Sequence, residues 1–259
     1  MKNSALGISA SPVRFLAALL ASLLLAAAHA GEAQMPARAP IEVLATRIIF
    51  DEGRPSASLS VRNLGDIDYL VALAVEPFEG VGREAGQTTD DFMCAPAFRI
   101  LHPGETFPFR IVRLARHLPE DVESLFVAAL RILPSLAPLA SEALAQTTLE
   151  LSLAGRFKLF YRPKALAAAF GVEEARQRLT AECSSDGLHL RNSSPYWGTF
   201  ASAELNGRNL LPAGPKPMIA PKSALRLEAP GCRKGSRFQF SLIAETGMAT
   251  PVREIRIGD

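Results

Sequence analysis

Short runs of alternating hydrophobic and polar residues fill the chain from Ile41 onward. Residues that favour turns separate these runs, as at His102-Pro103-Gly104-Glu105 and Asn206-Gly207. A period of two predicts β-strands, and many short strands divided by turns are typical of β-sandwiches. The predicted strands cover residues 44–50, 57–62, 69–75, 98–101, 107–114, 125–133, 147–162, 188–191, 196–205, 223–227, 238–243 and 252–257.

The strand pattern changes after Arg162-Pro163. Proline cannot continue a hydrogen-bonded ladder, so the preceding strand is expected to end there. Residues 164–179 are rich in Ala, Glu and Arg, which predicts a linker with one or two helical turns, and short strands resume near Ala181. The sequence therefore predicts an all-β chain with one sandwich domain over residues 31–163 and a linker plus second sandwich over residues 164–259.

Residues 147–163 carry the most informative pattern in the chain. Leu149, Leu151 and Leu153 alternate with smaller or polar residues, which places the three leucines on one face of a strand. Lys158 follows amid large apolar residues, where a charge is costly unless it meets an anion. The segment therefore needs an apolar cover for its leucines and an anion for its lysine, and either this chain or another protein could supply them.

The leucine row and Lys158 occupy opposite parities of this strand. A residue inserted into the ladder would bring them to the same face, and glycine often marks such a β-bulge. We therefore expect a bulge near Gly155.

The first 30 residues are expected to be a secretory signal peptide. The apolar run from Phe15 to Ala28 is too short to span a bilayer, and Ala28-His29-Ala30 fits the small-x-small cleavage pattern. The mature chain would then begin at Gly31, with no later run apolar for long enough to form a membrane helix. The alternative is an uncleaved N-terminal anchor.

The charge balance argues against a nucleic-acid partner. The chain has 28 basic and 26 acidic residues, and the difference of +2 equals the contribution of Lys2 and Arg14 in the leader. The mature chain is therefore near neutral, whereas a nucleic-acid-binding face is strongly basic.

Three cysteines remain in the mature chain. An exported protein meets an oxidising compartment, and Cys183 and Cys232 both lie in the last third, so a disulfide between them is expected, with Cys94 left over. The alternative is three unpaired, buried thiols. No CxxC spacing supports zinc binding or redox chemistry.

The sequence carries no recognisable catalytic motif. It lacks HExxH, GxSxG and a glycine-rich phosphate loop, and the mature histidines, His102, His117 and His189, are far apart. Neither an enzyme, a cofactor nor a bound metal is therefore predicted.

Five motifs together resemble the PapD-like family, the periplasmic pilus-assembly chaperones of the chaperone–usher pathway. They occur in the family's order between residues 41 and 200, and the resemblance is faint after that. Val122 and Trp197-Gly198 depart from the family pattern. The motifs are Thr46-Arg47-Ile48-Ile49-Phe50, Phe98-Arg99-Ile100 with Phe109-Arg110-Ile111, Leu118-Pro119-Glu120-Asp121-Val122-Glu123-Ser124-Leu125-Phe126, Lys158-Leu159-Phe160-Tyr161-Arg162-Pro163 and Asn192-Ser193-Ser194-Pro195-Tyr196.

The resemblance implies two immunoglobulin-like sandwiches in a boomerang arrangement and a non-enzymatic role in the periplasm. A chaperone of this family captures pilus subunits by donor-strand complementation and delivers them to an outer-membrane usher. The resemblance also implies that Leu149, Leu151 and Leu153 fill the open groove of a subunit, while Arg47 and Lys158 bind the subunit's C-terminal carboxylate. An exposed apolar strand would also favour self-association of the free chain.

The resemblance further assigns an interdomain ion-pair network to Glu123, Arg162 and Glu245, although the family usually has Asp at the last position. Other assignments remain open at this point. The leucine row could belong to the core of its own domain, and Lys158 or Arg47 could pair with an internal carboxylate such as Glu123. The alternative function is a secreted two-domain β-sandwich adhesin or structural binding module that uses its loops.

Overall fold

The computed structural model describes residues 40–78, 89–114, 117–134, 153–166 and 171–258. Strands dominate these ranges and build two β-sandwiches, each around a hydrophobic core of its own. The prediction of an all-β chain with two immunoglobulin-like sandwiches is therefore confirmed. Residues 1–30, the expected signal peptide, lie outside the described ranges. No helix within those ranges is long and apolar enough to cross a membrane.

The first sandwich packs a four-stranded sheet, ordered β1-β3-β7-β5, against a five-stranded sheet, ordered β2-β9-β8-β4-β6. All described pairs in these sheets are antiparallel except β2 with β9, which is parallel. The strands are β1 (Ile41–Val43), β2 (Arg47–Asp51), β3 (Ala57–Asn63), β4 (Tyr69–Pro77), β5 (Phe92–Ala95), β6 (Phe98–Leu101), β7 (Thr106–Arg113), β8 (Ser124–Pro134) and β9 (Leu153–Arg162).

Alternation in the sequence decides which side chains enter this core. In β3, Leu59 and Val61 are fully buried, whereas Ser58 and Arg62 are exposed. Even-numbered residues of β8 and odd-numbered residues of β9 also face inward, so the remaining residues of both strands form an outer face. The inner residues of these two strands are Phe126, Ala128, Leu130, Ile132, Leu153, Phe157, Leu159 and Tyr161.

The chain crosses from one sheet to the other between β1 and β2. β1 pairs with β3, whereas β2 runs parallel to β9, beginning with Arg47 opposite Lys158. The β9 segment 153–157 therefore pairs with β8 on one side and, among the described residues, has no strand on the other. Within the described residues, this segment therefore presents a backbone edge without a partner strand, which is where an additional strand can be added.

The expected bulge near Gly155 is wrong. The β8–β9 register is continuous, with Leu130 opposite Gly155 and Ala129 opposite Arg156. A Cβ on Gly155 would lie 2.8 Å from Cε2 of Phe157, so the glycine leaves room for that ring instead of bending the strand. Leu153 and Lys158 consequently lie on opposite faces of β9.

The second sandwich begins after a 3₁₀ helix, Lys164–Leu166, and helix α1, Gly171–Arg178. One sheet has the order β10-β11-β15, and the other has the order β13-β12-β16-β17, with β14 also paired to β12. The strands are β10 (Leu179–Ser184), β11 (Gly187–Asn192), β12 (Gly198–Leu205), β13 (Arg208–Asn209), β14 (Met218–Ile219), β15 (Ser223–Leu227), β16 (Arg237–Leu242) and β17 (Arg253–Arg256).

The two cysteines of the second sandwich form a disulfide. Cys183 at the end of β10 is bonded to Cys232, with a Cα–Cα distance of 5.4 Å. This is the pair expected from the sequence. Cys94 is a free, half-buried thiol in β5, and burial raises its pKa to about 11, so it is a protonated, unreactive group at neutral pH.

Candidate functional site

Two cations lie side by side on the outer face of the five-stranded sheet. Arg47 of β2 and Lys158 of β9 are register partners, and both residues alternate with core-facing neighbours. Burial, reinforced by the nearby Arg47, lowers the pKa of Lys158 to about 8. Burial also lowers the pKa of Arg47, although Glu245 and Glu123 oppose this shift. The arrangement concentrates positive charge in a partly desolvated place.

The contacts of these two cations leave their charge unneutralised. Lys158 Nζ donates a long hydrogen bond of 3.4 Å to Thr199 Oγ1, and Arg47 Nη1 donates to the backbone oxygen of Ile243 at 2.9 Å. The buried Nε of Arg47 has no hydrogen-bond partner. Among the described residues, no carboxylate forms an ion pair with either cation. Such a site can accept an anion.

The second sandwich contacts the two cations through two residues that are hydrogen-bonded to each other, Thr199 and Ile243. Thr199 lies in β12 and is almost fully buried, and its carbonyl oxygen accepts a 2.8 Å hydrogen bond from the backbone nitrogen of Ile243. Thr199 faces Lys158, and Ile243 faces Arg47. The loop that follows also comes close, because a Cβ on Gly247, which has a φ of +86°, would lie 2.4 Å from Thr46 Oγ1.

An ion-pair network between the sandwiches borders this site. Arg162 at the end of β9 donates through Nε to Glu123 Oε1 at 2.8 Å and through Nη2 to Glu245 Oε1 at 2.6 Å. Glu123 also accepts from the backbone nitrogen of Trp197 at 3.0 Å. Burial alone would lower the pKa of Arg162, but the two carboxylates outweigh it and raise the pKa. The structure thus brings together the three residues that the resemblance assigned to this network.

The network also explains why Glu123 does not neutralise Lys158 or Arg47. Both of its carboxylate oxygens are occupied, one by Arg162 and one by Trp197, and its side chain is 2% exposed. The internal pairing of Lys158 with Glu123, which the sequence left open, is therefore absent among the described contacts. A small crevice of about 10 Å³ lies beside Arg47 and is lined by Arg47, Phe160, Arg162, Trp197 and Glu245.

The leucine row is described only at its last residue. Leu149 and Leu151 lie outside the described residues. Leu153 begins β9 opposite Ile132, is half-buried, and packs against the core of its own sandwich. It lies at the start of the β9 segment whose second edge has no described partner.

Several residues at the site were missed by the sequence analysis. Thr199 and Ile243 hold the cations from the second sandwich, and Trp197 binds Glu123 through both its backbone and its indole, whose Nε1 donates to the Glu123 carbonyl at 3.1 Å. In the sequence, Trp197 is notable only as a departure from the family motif. A buried threonine and a backbone carbonyl leave no recognisable signal in a single sequence.

Comparisons with known proteins place both sandwiches in one family. Residues 40–167 match the model of the pili and flagellar-assembly chaperone PapD N-terminal domain, and residues 174–254 match that of the pili assembly chaperone PapD C-terminal domain. Only a short connecting segment separates the two matches.

Individual relatives agree with this result. The chaperone protein FimC of Escherichia coli K12 is 30% identical over 83% of this chain and 83% of its own length. The probable fimbrial chaperone protein ElfD of the same strain is 29% identical over 82% and 84%. A chain in the structure of the Salmonella enterica SafA pilin with the SafB chaperone superposes with a TM-score of 0.70 and 23% identity, covering 84% of this chain and 96% of that one.

The family consists of assembly chaperones and not of enzymes, which agrees with the lack of catalytic motifs. Two adjoining family models cover most of the chain, and the relatives match along most of their own length. The chain therefore belongs to the PapD-like family of pilus-assembly chaperones.

Proposed function

We propose that this protein is a periplasmic chaperone that captures newly exported pilus subunits by donor-strand complementation and delivers them to an outer-membrane usher. Residues 1–30 would direct export to the periplasm as a signal peptide and then be cleaved off, leaving domains over residues 31–163 and 164–259. The observation that carries the proposal is the pair Arg47 and Lys158, two adjacent cations with no ion-pair partner among the described residues. They lie beside the β9 segment 153–157, whose outer edge pairs with no described strand.

The anion is the C-terminal carboxylate of the subunit. Every subunit has this group, so its capture requires no further sequence recognition. Lys158 and Arg47 each donate hydrogen bonds to it, and charge-assisted hydrogen bonds are stronger than neutral ones. A carboxylate bound at the start of the β2–β9 pairing also sets the register of a strand added along β9, because a one-residue slip would turn every side chain to the opposite face.

The leucines act along the same edge. A subunit strand added beside residues 153–157 extends the five-stranded sheet in its own plane, so the core-facing side of β9 continues into the groove of the subunit. Leu149, Leu151 and Leu153 then fill that groove from the face opposite Lys158, and no bulge is needed. Each buried leucine contributes about 1.5–3 kcal/mol before the costs of association are subtracted.

The experiment compares capture of a pilus subunit from the same genome by the wild-type chain and by Lys158→Ala and Arg47→Ala variants. We expect both variants to fold and to lose capture. A subunit whose terminal carboxylate has been converted to an amide should escape the wild-type chaperone as well. Normal yields of subunit complex with Lys158→Ala would overturn the proposal.

A matched control is Arg131→Ala. Arg131 is an exposed cation on the same outer face and lies on β8 opposite Ala154. The Arg131→Ala substitution removes one positive charge from this face without altering Arg47 or Lys158, so capture should persist. Loss of capture in this control would indicate a diffuse electrostatic effect instead of a carboxylate site.

A further inference from the structure

The outer face of the sheet holds a buried carboxylate at the same level as Lys158. Glu76 of β4 is opposite Val127 of β8, and Val127 is opposite Lys158 of β9. Two strand spacings, about 9.5 Å, therefore separate the backbones of Glu76 and Lys158. Both side chains project from the same face, since each alternates with core-facing neighbours.

Glu76 is bound by a different cation of β9. Arg156 Nη1 lies 2.5 Å from Glu76 Oε2, and the Glu76 side chain is 5% exposed while that of Arg156 is 48% exposed. Arg156 is opposite Ala129, so it reaches this carboxylate diagonally across β8. The backbone of Arg156 therefore lies farther from the backbone of Glu76 than the backbone of Lys158 does.

A buried carboxylate requires a cation, because a charge that is left desolvated and unpaired is strongly destabilising. Lys158 is the next cation along this face of β9, and its backbone lies nearer to that of Glu76 than the backbone of Arg156 does. The groups that face Lys158 are Arg47 from β2 and the Thr199 hydroxyl from the second sandwich, and Glu76 lies two strands away at the same register level, beyond Val127 of β8. Glu123 and Glu245 are bound to Arg162. Among the described residues, Glu76 is thus the carboxylate placed to neutralise Lys158 if Arg156 released it.

We propose that Arg156 is a positioning residue that holds Glu76 and thereby keeps the Lys158 ammonium free for the subunit's carboxylate. This inference rests on the proposed function and adds to it the selection between two cations on one strand. Glu76 is therefore an internal competitor for Lys158, and Arg156 already binds it.

The test uses Arg156→Leu, the conservative Arg156→Lys, and the double variant Glu76→Gln/Arg156→Leu. In Arg156→Leu, we expect Glu76 to pair with Lys158 and capture of the subunit to fall about tenfold. The double variant removes the competing carboxylate and should restore capture, and Arg156→Lys should retain it. Arg131→Leu serves as the control for loss of a cation from the same face.

A second readout does not depend on any subunit. NMR titration of the Lys158 side chain in the free chain should show its pKa rising in Arg156→Leu, because a carboxylate has joined it, and returning in the double variant. An unchanged Lys158 titration together with normal capture by Arg156→Leu would overturn the inference. If Arg156→Leu does not fold, a folded Arg156→Lys variant that loses capture would overturn it instead. Failure of the proposed function has a different signature, namely normal capture by Lys158→Ala.

Discussion

Arg47 and Lys158 are direct register partners on the parallel strands β2 and β9, so two like charges project from neighbouring backbones on one face. Parallel pairing of a strand that has just crossed between sheets creates this arrangement. Neither cation has an ion-pair partner among the described residues, and the described hydrogen bonds that reach them from the second sandwich come to a hydroxyl and a backbone carbonyl. The free chain therefore carries an electrostatic cost that a bound carboxylate would remove.

This cost predicts that the site reduces the stability of the free chain. Lys158→Met keeps the length of the side chain and removes a partly desolvated charge beside Arg47. We expect the variant to unfold at a higher denaturant concentration than the wild-type chain while losing subunit capture, as is common for functional sites. Equal or lower unfolding midpoints by circular dichroism would contradict the prediction.

The same residue predicts a pH dependence of stability. The pKa of Lys158 is about 8 in the folded chain and 10.5 in its ordinary state, so between these values the unfolded chain holds more protons. The free energy of unfolding contributed by Lys158 therefore rises as the pH increases from 8 toward 10.5. Urea titrations across this range should show the rise in wild-type protein and a smaller one in Lys158→Met.

Capture should depend on pH in the opposite direction. Only the ammonium form of Lys158 attracts a carboxylate, so affinity for a subunit is expected to fall as the pH rises above 8. A bound carboxylate raises the pKa of Lys158, which moves the loss to higher pH once the complex has formed. Binding measured between pH 7 and 10 checks this, and a flat profile in the wild-type chain would argue against a role for the ammonium.

The buried network between the sandwiches predicts a large effect for one residue. Arg162→Leu leaves Glu123 buried without its cation, and such a loss costs about 3–5 kcal/mol. Chemical denaturation measures this change. Asp121→Asn provides the control, because it breaks the exposed pair of Lys222 with Asp121 between the same two sandwiches and should change little. Similar effects of both variants would show that burial does not decide the outcome.

The role of Gly155 predicts sensitivity to a single methyl group. Gly155→Ala would place a Cβ 2.8 Å from the Phe157 ring, and overpacking of this kind costs about 1–3 kcal/mol. Gly53→Ala is the matched control, since nothing lies within 4 Å of the added carbon and its φ is not in the left-handed region. A stability of Gly155→Ala equal to that of the control would contradict the packing explanation.

Much of the fold was predictable because alternation has a direct physical consequence. Leu59 and Val61 are buried and Ser58 is not, as a period of two requires. The strand end that Arg162-Pro163 predicts also coincides with the end of β9 at Arg162. These features depend on neighbours in the sequence, which is why a single chain reveals them.

The bulge at Gly155 was predicted wrongly because parity was interpreted without the partner strand. The sequence shows that the leucines and Lys158 lie on opposite parities, but it does not show that the two faces of the strand pack against different parts of the chain. In the folded chain, Leu153 faces its own core and Lys158 faces the second sandwich. An unbroken β8–β9 register serves both, so no rearrangement of the ladder was required.

By itself, the sequence determined the two sandwiches, the pairing partners available to the cysteines, and the residues from which a charged site could be built, because hydrophobic periodicity and residue chemistry are local properties. Only the tertiary structure decided that Arg47 lies beside Lys158 and that Thr199 of the second sandwich contacts Lys158. It also decided that Arg162 binds Glu123 and that Arg156 binds Glu76. Those choices depend on strand register and on competition among buried charges, and both exist only once the strands have paired.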